Sequence, residues 1–252
     1  MTGYFGGSDA SAPPPHPTLS PANAGARVDG AGAERLIVVV GMVREARIVA
    51  GGGAKVIVGG GRAGRLAVDL DGALAGGAAG VVSFGLCGGL DPSLKAGDLL
   101  VDCDDPAWRN RLLSALPKAR AGRVVGGDAM VAGVEGKAAL RERSGADGVD
   151  MESHIVTDLA RRRAIPLAIL RAISDPADRA LPSAAQSGLK ANGEGDIGAV
   201  LRALAARPWE LPALIRTARE AGVAFAALRD ARHLLGPRLG CPYFVQHLVD
   251  MT

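Results

Sequence analysis

Residues 36–41 read Leu36-Ile37-Val38-Val39-Val40-Gly41, an aliphatic, mostly β-branched run stopped by glycine. Branched side chains pack well on a pleated surface, and a run without polar alternation has both of its faces covered. The stretch therefore predicts a strand with a layer on each side. The signature returns at 55–58 (KVIV), 80–84 (GVVSF), 99–101 (LLV), 122–125 (GRVV) and 167–172 (LAILRA). Helical windows fall between several of these, at 62–75, 136–143 and 152–163. Strands alternating with helices imply parallel pairing and an α/β fold with helices on both faces of the sheet.

The flanks differ from this centre. Residues 1–33 carry Pro13-Pro14-Pro15, Pro17, Pro21 and scattered small residues, and are expected to form a disordered tail before a domain spanning 34–252. After Pro182 the alternation gives way to two helical windows, 196–206 and 209–235, so that 194–252 reads as a helical C-terminal extension. Pro212 sits in a first turn, where proline is tolerated. Tyr243-Phe244-Val245 is apolar enough to dock on the subunit or on a neighbour.

Bulk properties exclude several function classes. With 252 residues the chain holds one medium domain with a full core. Aromatics make up only 3%, and a net charge of +3 is spread along the chain, so neither base stacking nor a basic patch for nucleic acid is indicated. Cys87, Cys103 and Cys241 are odd in number and lack metal spacing, which points to a reducing cytoplasm and no metal. No apolar run reaches membrane-spanning length and no signal pattern opens the chain, so the expected location is cytoplasmic.

Four stretches could carry chemistry. Gly59-Gly60-Gly61-Arg62-Ala63-Gly64 follows a strand and satisfies GxGxxG, but the acidic residue that a dinucleotide fold needs after the next strand is missing. A tight turn near a small anion is the better reading. Gly85-Leu86-Cys87-Gly88-Gly89 forms a second glycine cluster at a strand's carboxyl end, the edge where open α/β sheets collect ligands. Cys87 has no basic sequence neighbour and is not read as a nucleophile. Arg171-Ala172-Ile173-Ser174-Asp175-Pro176 ends another strand on a titratable group held before proline. Asp150 and Glu152 bracket Met151 at the start of a helical window, where a cap and a dipole-complementing acid would suffice to explain them.

Taken in order, GMVREA (41–46), FGLCGGLDPSLKAGDLLV (84–101), GGDAMV (126–131), VDMES (149–153) and LRAISDPAD (170–178) resemble the purine nucleoside phosphorylase and methylthioadenosine/S-adenosylhomocysteine nucleosidase family. Within it the hopanoid-associated branch looks closest, through EARIVAG, VDMESH, SDPADRALP and RPWELPALIRTARE. The resemblance implies a single-domain, three-layer nucleoside phosphorylase-like fold with a mixed, mostly parallel sheet, and cleavage of an N-ribosidic bond. Such cleavage develops positive charge on the sugar and negative charge on the leaving purine.

By this resemblance Asp175 would be the acid at the purine, oriented by Ser174 and kept protonated by burial. Glu152 would accept hydrogen bonds from the ribose hydroxyls, and Met151 would pack on the sugar. Glu45 and Arg171 would hold an attacking water. Gly88, Met130 and Val131 would line the base, with Met130 standing where relatives often carry a stacking Phe. Met42 would offer an apolar wall, together with Leu214, Phe225 and Leu228 of the C-terminal helix. Phe84 stands where hexameric phosphorylases have an arginine, so phosphate, as co-substrate, would fall to Arg44, Arg47, Arg62 or the turn at Gly61. No other cofactor is implied. The expected substrate is a small-molecule or lipid-linked adenosine, with adenosylhopane, methylthioadenosine and S-adenosylhomocysteine all in view. A non-catalytic nucleoside- or lipid-binding role is a further alternative. The resemblance also implies a homo-oligomer, and Arg216, Arg219, Arg229 and Arg232 suggest peripheral contact with an anionic membrane face.

Overall fold

The computed structural model describes residues 35–186, 194 and 196–243. The tail expected at 1–33, along with Phe244 and Val245, lies outside the described residues.

The opening run forms β1 (Leu36–Val40), and all five residues are buried. Leu36, Val38 and Val40 enter one core cluster, while Ile37 and Val39 enter the other. That period-2 division is what a strand covered on both faces must show. Around it the chain builds α1 (Val43–Val49), β2 (Lys55–Val58), α2 (Ala63–Leu74), β3 (Gly80–Gly89), β4 (Leu99–Cys103) and α3 (Pro106–Ala115). It continues through β5 (Ala119–Ala121), β6 (Val124–Gly126), α4 (Val134–Ser144), β7 (Gly148–Asp150), α5 (Ser153–Arg162) and β8 (Leu167–Asp175). Three helices follow, α6 (Ser183–Gln186), α7 (Ile197–Ala206) and α8 (Leu211–Leu235).

The sheet runs β2-β1-β3-β8-β4-β5, and β7 joins the end of β3 and carries β6. Pairings β1–β2, β1–β3, β3–β8, β4–β5 and β6–β7 are parallel, whereas β4–β8 and β3–β7 are antiparallel. This is the mixed, mostly parallel three-layer sheet expected.

Three finer points bear on the sequence reading. The glycine cluster 85–89 does stand at a strand's carboxyl end, forming the second half of β3, which pairs with β8 and β7 to its end. The strand read at 122–125 is shifted and shortened to β6 (Val124–Gly126), with β5 (Ala119–Ala121) a separate strand ahead of it. Helices α1 and α3 had no long periodic window to reveal them; α3 relies instead on its ends, with Asp105 Oδ1 accepting from Trp108 N at 2.8 Å and proline in its first turn.

The C-terminal helix is part of the core. Ala224, Phe225, Leu228, Ala231 and Leu235 of α8 are buried in the cluster that also holds Val38, Phe84 and Trp108. Phe225 and Leu228 are therefore not a lipid-facing wall. Tyr243 docks on its own subunit, edge-on to Trp108 at 5.9 Å between ring centroids, with its hydroxyl donating to Asp105. Among the described residues no helix is long and apolar enough to cross a membrane.

Candidate active site

The carboxyl ends of β1, β3 and β8 gather four charged side chains that lie far apart in sequence. Glu45, on the first turn of α1, folds back over the end of β1. Its Oε2 accepts from Gly41 N and Met42 N, both at 2.8 Å, and its Oε1 accepts from Leu86 N on β3 at 2.7 Å. Gly85 makes room for it: a Cβ there would stand 2.6 Å from Glu45 Oε1 and 2.7 Å from Arg171 Nη1. Only glycine permits that approach.

Arg171, on β8 and opposite Gly85, is fully buried. Its Nε donates to Asp150 Oδ2 at 2.6 Å, and its Nη2 donates to Ser83 Oγ at 2.7 Å and Ser153 Oγ at 3.3 Å. Asp150 has two tasks, because it also receives Glu152 N at 3.2 Å and Ser153 N at 2.9 Å at the start of α5. Asp150 is not the N-cap it was expected to be, since that position falls to Glu152, but from two residues ahead its carboxylate still receives two N–H groups at the helix start, and Arg171 adds to this.

Glu152 is different. It is buried and flanked by glycine at two strand ends, where a Cβ on Gly41 would lie 2.9 Å from its Oε1 and one on Gly59 would lie 3.1 Å from its Cγ. Its nearest cation, Arg171 Nη2, is 3.8 Å from Oε2, beyond hydrogen-bonding reach. Burial pushes its carboxyl up to about 7, against the pull of Arg171 and with help from Asp150 and Glu45. Burial also raises Glu45, opposed by Arg171 and by its backbone donors. Arg171 is desolvated too, yet Asp150, Glu152 and Glu45 together hold it above its ordinary value. Three carboxylates thus share one guanidinium.

Asp175 ends β8 at a bulge. Cys87 pairs with Ile173 but Gly88 pairs with Asp175, so Ser174 drops out of the ladder. Ser174 Oγ instead reaches Cys87 O at 3.1 Å and Asp175 Oδ1 at 2.6 Å, and so orients that carboxylate. Gly88 lies against it, since a Cβ there would be 3.1 Å from Asp175 Oδ2. Gly85 and Gly88 are three residues apart on β3, which separates the Glu45–Glu152–Arg171 group from Asp175 by ~10 Å along the strand. That is the scale of one nucleoside. Leu86, Gly88, Met151 and Ser174, along this rim, are only half-buried.

One participant had no signal in the sequence. Lys137, on α4, is completely buried, with its Nζ 2.6 Å from Asp175 Oδ2. It also donates to the backbone carbonyls of Asp175, Pro176 and Arg179 at 3.2, 2.9 and 3.0 Å. An ammonium ion thus stands directly against the Asp175 carboxylate. A lysine inside a helical window reads as a solvated residue, and only the packing of α4 against the end of β8 places it here.

The remaining predicted residues divide. Met151 is half-buried, its Cε 3.9 Å from where a Cβ on Gly61 would lie. Met130 is 42% exposed on the segment after β6, and Val131 packs on the small cluster of Leu90, Ala146 and Val149. Met42 packs on the main core beside the N-terminus of α1. The residues named for phosphate do not gather at the rim: Arg44 turns away from it, its guanidinium 3.9 Å above the centre of the Phe225 ring, and Arg62 and Gly61 are exposed at the start of α2. Successive helix positions differ by about 100°, so Arg44 cannot face the way Glu45 does. A cavity of about 510 Å³ lies apart from the rim, beside α4, lined by Leu90, Val134, Ala138 and Ala177. Among the described residues no group of His, Cys, Asp and Glu side chains could hold a metal ion.

Residues 105–206 of the chain match the Phosphorylase superfamily. No curated protein matches the chain. The fold is similar to that of the 5'-methylthioadenosine/S-adenosyl homocysteine nucleosidase of Helicobacter pylori, at 17% identity over 81% of this chain and 98% of that one, with a TM-score of 0.54. It is also similar to the futalosine hydrolase of the same species, at 18% identity over 79% of this chain and 97% of that one, with a TM-score of 0.51. A Colwellia psychrerythraea nucleosidase in complex with adenine aligns at 19% identity over 69% of this chain and 95% of that one, with a TM-score of 0.50. The likeness establishes a nucleoside phosphorylase-like fold.

Proposed function

We propose that this protein cleaves the N-ribosidic bond of an adenine nucleoside with water as the nucleophile, and that the nucleoside is the lipid-linked adenosylhopane, giving adenine and ribosylhopane. The observation that carries the reaction is the charge layout of the rim: three buried carboxylates around one arginine, then, about a nucleoside's length away, a carboxylate held by a lysine. The first group suits a sugar that becomes cationic, and the second suits a purine that must accept a proton as it leaves.

In this reading Glu152, whose carboxylate makes no short side-chain hydrogen bond, takes the ribose hydroxyls, and Met151 packs on the sugar. Glu45 and Arg171 hold the water. As the carbon–nitrogen bond breaks, the bonding electrons go to the purine, which takes at its ring nitrogen the proton carried on Asp175 Oδ1; water adds to the sugar carbon and gives its proton to Glu45, and exchange with solvent returns both carboxyl groups to their starting states. Asp175 presents Oδ1 to the purine ring nitrogen while Lys137 fixes Oδ2 and Ser174 sets the carboxylate plane. Water is favoured over phosphate because a phosphate dianion at the sugar would meet Glu45, Glu152 and Asp150 with only Arg171, already committed, to offset them. Arg44 is engaged elsewhere.

The lipid-linked substrate and a homo-oligomeric state rest on the sequence resemblance to the hopanoid-associated branch, while a cytoplasmic location rests on the cysteine usage and peripheral membrane contact on Arg216, Arg219, Arg229 and Arg232. The test is adenine release from adenosylhopane, methylthioadenosine and S-adenosylhomocysteine, with phosphate supplied and withheld, and with the sugar product weighed by mass spectrometry. Phosphate-independent release, fastest from adenosylhopane, is expected. A phosphorylated sugar would overturn the role of water, equal rates on the small thioethers would overturn the lipid assignment, and no release from any of the three would overturn catalysis.

A further inference from the structure

Outside the rim, the most uneven distribution of charge lies in the groove between α1 and α8. Arg44 and Arg47, one turn apart on α1, face Arg229 and Arg232, one turn apart on α8, around a cavity of about 380 Å³ that also touches Ile48. None of the four is ion-paired with a carboxylate among the described residues, although eight other arginines are. Asp230 lies next to Arg229 in sequence but forms no ion pair with them.

Ordinary helix electrostatics explains only half of this. Arg47 and Arg232 stand in last turns, where cations complement the helix dipole. Arg44 stands in a first turn, where the dipole opposes a cation, and Arg229 is a turn short of the end of α8. Two of the four are also held in place without a counter-ion. The guanidinium of Arg44 is stacked on Phe225, itself buried in the core. Arg232 has a buried Nε with no hydrogen-bond partner, and its Nη2 lies against Gly52, where a Cβ would be 3.2 Å away. Four like charges converge on one concavity, two of them preorganised, with planar donor forks that match tetrahedral oxyanions.

We infer that this groove is a phosphate-oxyanion site, distinct from the nucleoside rim, which takes a phosphoryl group either as a free phosphate or diphosphate or as a phospholipid headgroup. Its volume accommodates a small phosphorylated ligand. It does not depend on the proposed reaction, since no residue of the rim lines it.

The experiment is calorimetric titration of the full chain with inorganic phosphate and with pyrophosphate at low ionic strength, alongside co-sedimentation with phosphatidylcholine vesicles with and without phosphatidylglycerol. The double variant Arg47→Gln/Arg229→Gln changes two exposed positions and leaves the stacked and half-buried arginines in place, so folding is not at stake. Wild type is expected to bind pyrophosphate more tightly than phosphate, and the variant about tenfold or more weakly, as loss of charge-assisted hydrogen bonds requires. Binding of the phosphatidylglycerol vesicles alone, lost in the variant, would assign the site to a headgroup. Wild type silent toward both anions and both vesicles would overturn the site, and so would a variant that binds as well as wild type.

Discussion

The two ends of the rim bury the same kind of group and treat it in opposite ways. At the sugar end Glu45, Asp150 and Glu152 share Arg171, and the one without a close partner, Glu152, is pushed up to about 7. At the base end Asp175 has an ammonium ion to itself, closed off by three carbonyls. A buried carboxylate left short of cations is one waiting for donors from a ligand, whereas one saturated on a single oxygen is a fixed part that presents the other oxygen. In the proposed reaction the first end is completed by substrate and the second holds still.

The sharpest way to break this contrast is at Asp175. Asp175→Asn keeps the shape but removes the counter-charge of Lys137 and cannot carry the purine's proton. Turnover should fall by about 10²–10⁴, the usual worth of a positioned acid, while adenine affinity by equilibrium titration stays within about tenfold. Unchanged turnover would remove Asp175 from the chemistry.

Lys137→Met tests whether the base end is a rigid part. Removing one partner of a buried pair leaves the other uncompensated and costs about 3–5 kcal/mol, read by denaturant unfolding. The double variant Lys137→Met/Asp175→Asn should recover much of that stability and none of the activity. If Lys137→Met alone unfolds no more easily than wild type, the pair does not fix Asp175.

The sugar end has a signature in pH. Glu152 binds its proton more tightly folded than unfolded, because its folded value of about 7 exceeds the ordinary 4.5. The folded chain therefore holds more protons between those limits, and stability must fall as pH rises through them. Glu152→Gln removes the penalty, so its melting temperature should exceed that of wild type at pH 8, with the gap closing as pH falls through about 7. Activity runs the other way: only ionised Glu152 accepts from both ribose hydroxyls, so kcat/KM of wild type should rise with pH through the same region. A flat stability difference between pH 5 and 8 would mean that Glu152 is not the strained carboxylate.

How much of this was legible in the sequence follows from which interactions are local. β1 and the first half of β3 declare themselves because burial on both faces leaves no polar alternation, and Asp150 declares itself because its bonds to the helix start act within three residues. Glu45, Glu152, Arg171 and Asp175 are separated by up to 130 positions and were reached through motif resemblance; no spacing rule links them. Lys137 was not reached at all, since its partner lies 38 residues away on another element. Arg44 leaves the rim for a simpler reason: it neighbours Glu45 in sequence, but the helix that carries both turns it toward Phe225.

The smallest expected effect lies where the base would rest. Met130 is 42% exposed on the segment beyond β6, offering a flexible thioether where a flat ring would stack. Met130→Phe gives a purine a rigid face, and an aromatic pair adds about 0.5–1.5 kcal/mol beyond its buried area. The dissociation constant for adenine should therefore tighten by about two- to tenfold, with the pH dependence set by Glu152 untouched because nothing at the sugar end has changed. Since the stacking acts on bound and departing purine alike, KM should fall while kcat holds. If adenine binds Met130→Phe no better than wild type, the base does not lie over this segment, and the line from Glu152 past Gly88 to Asp175 must be continued in another direction.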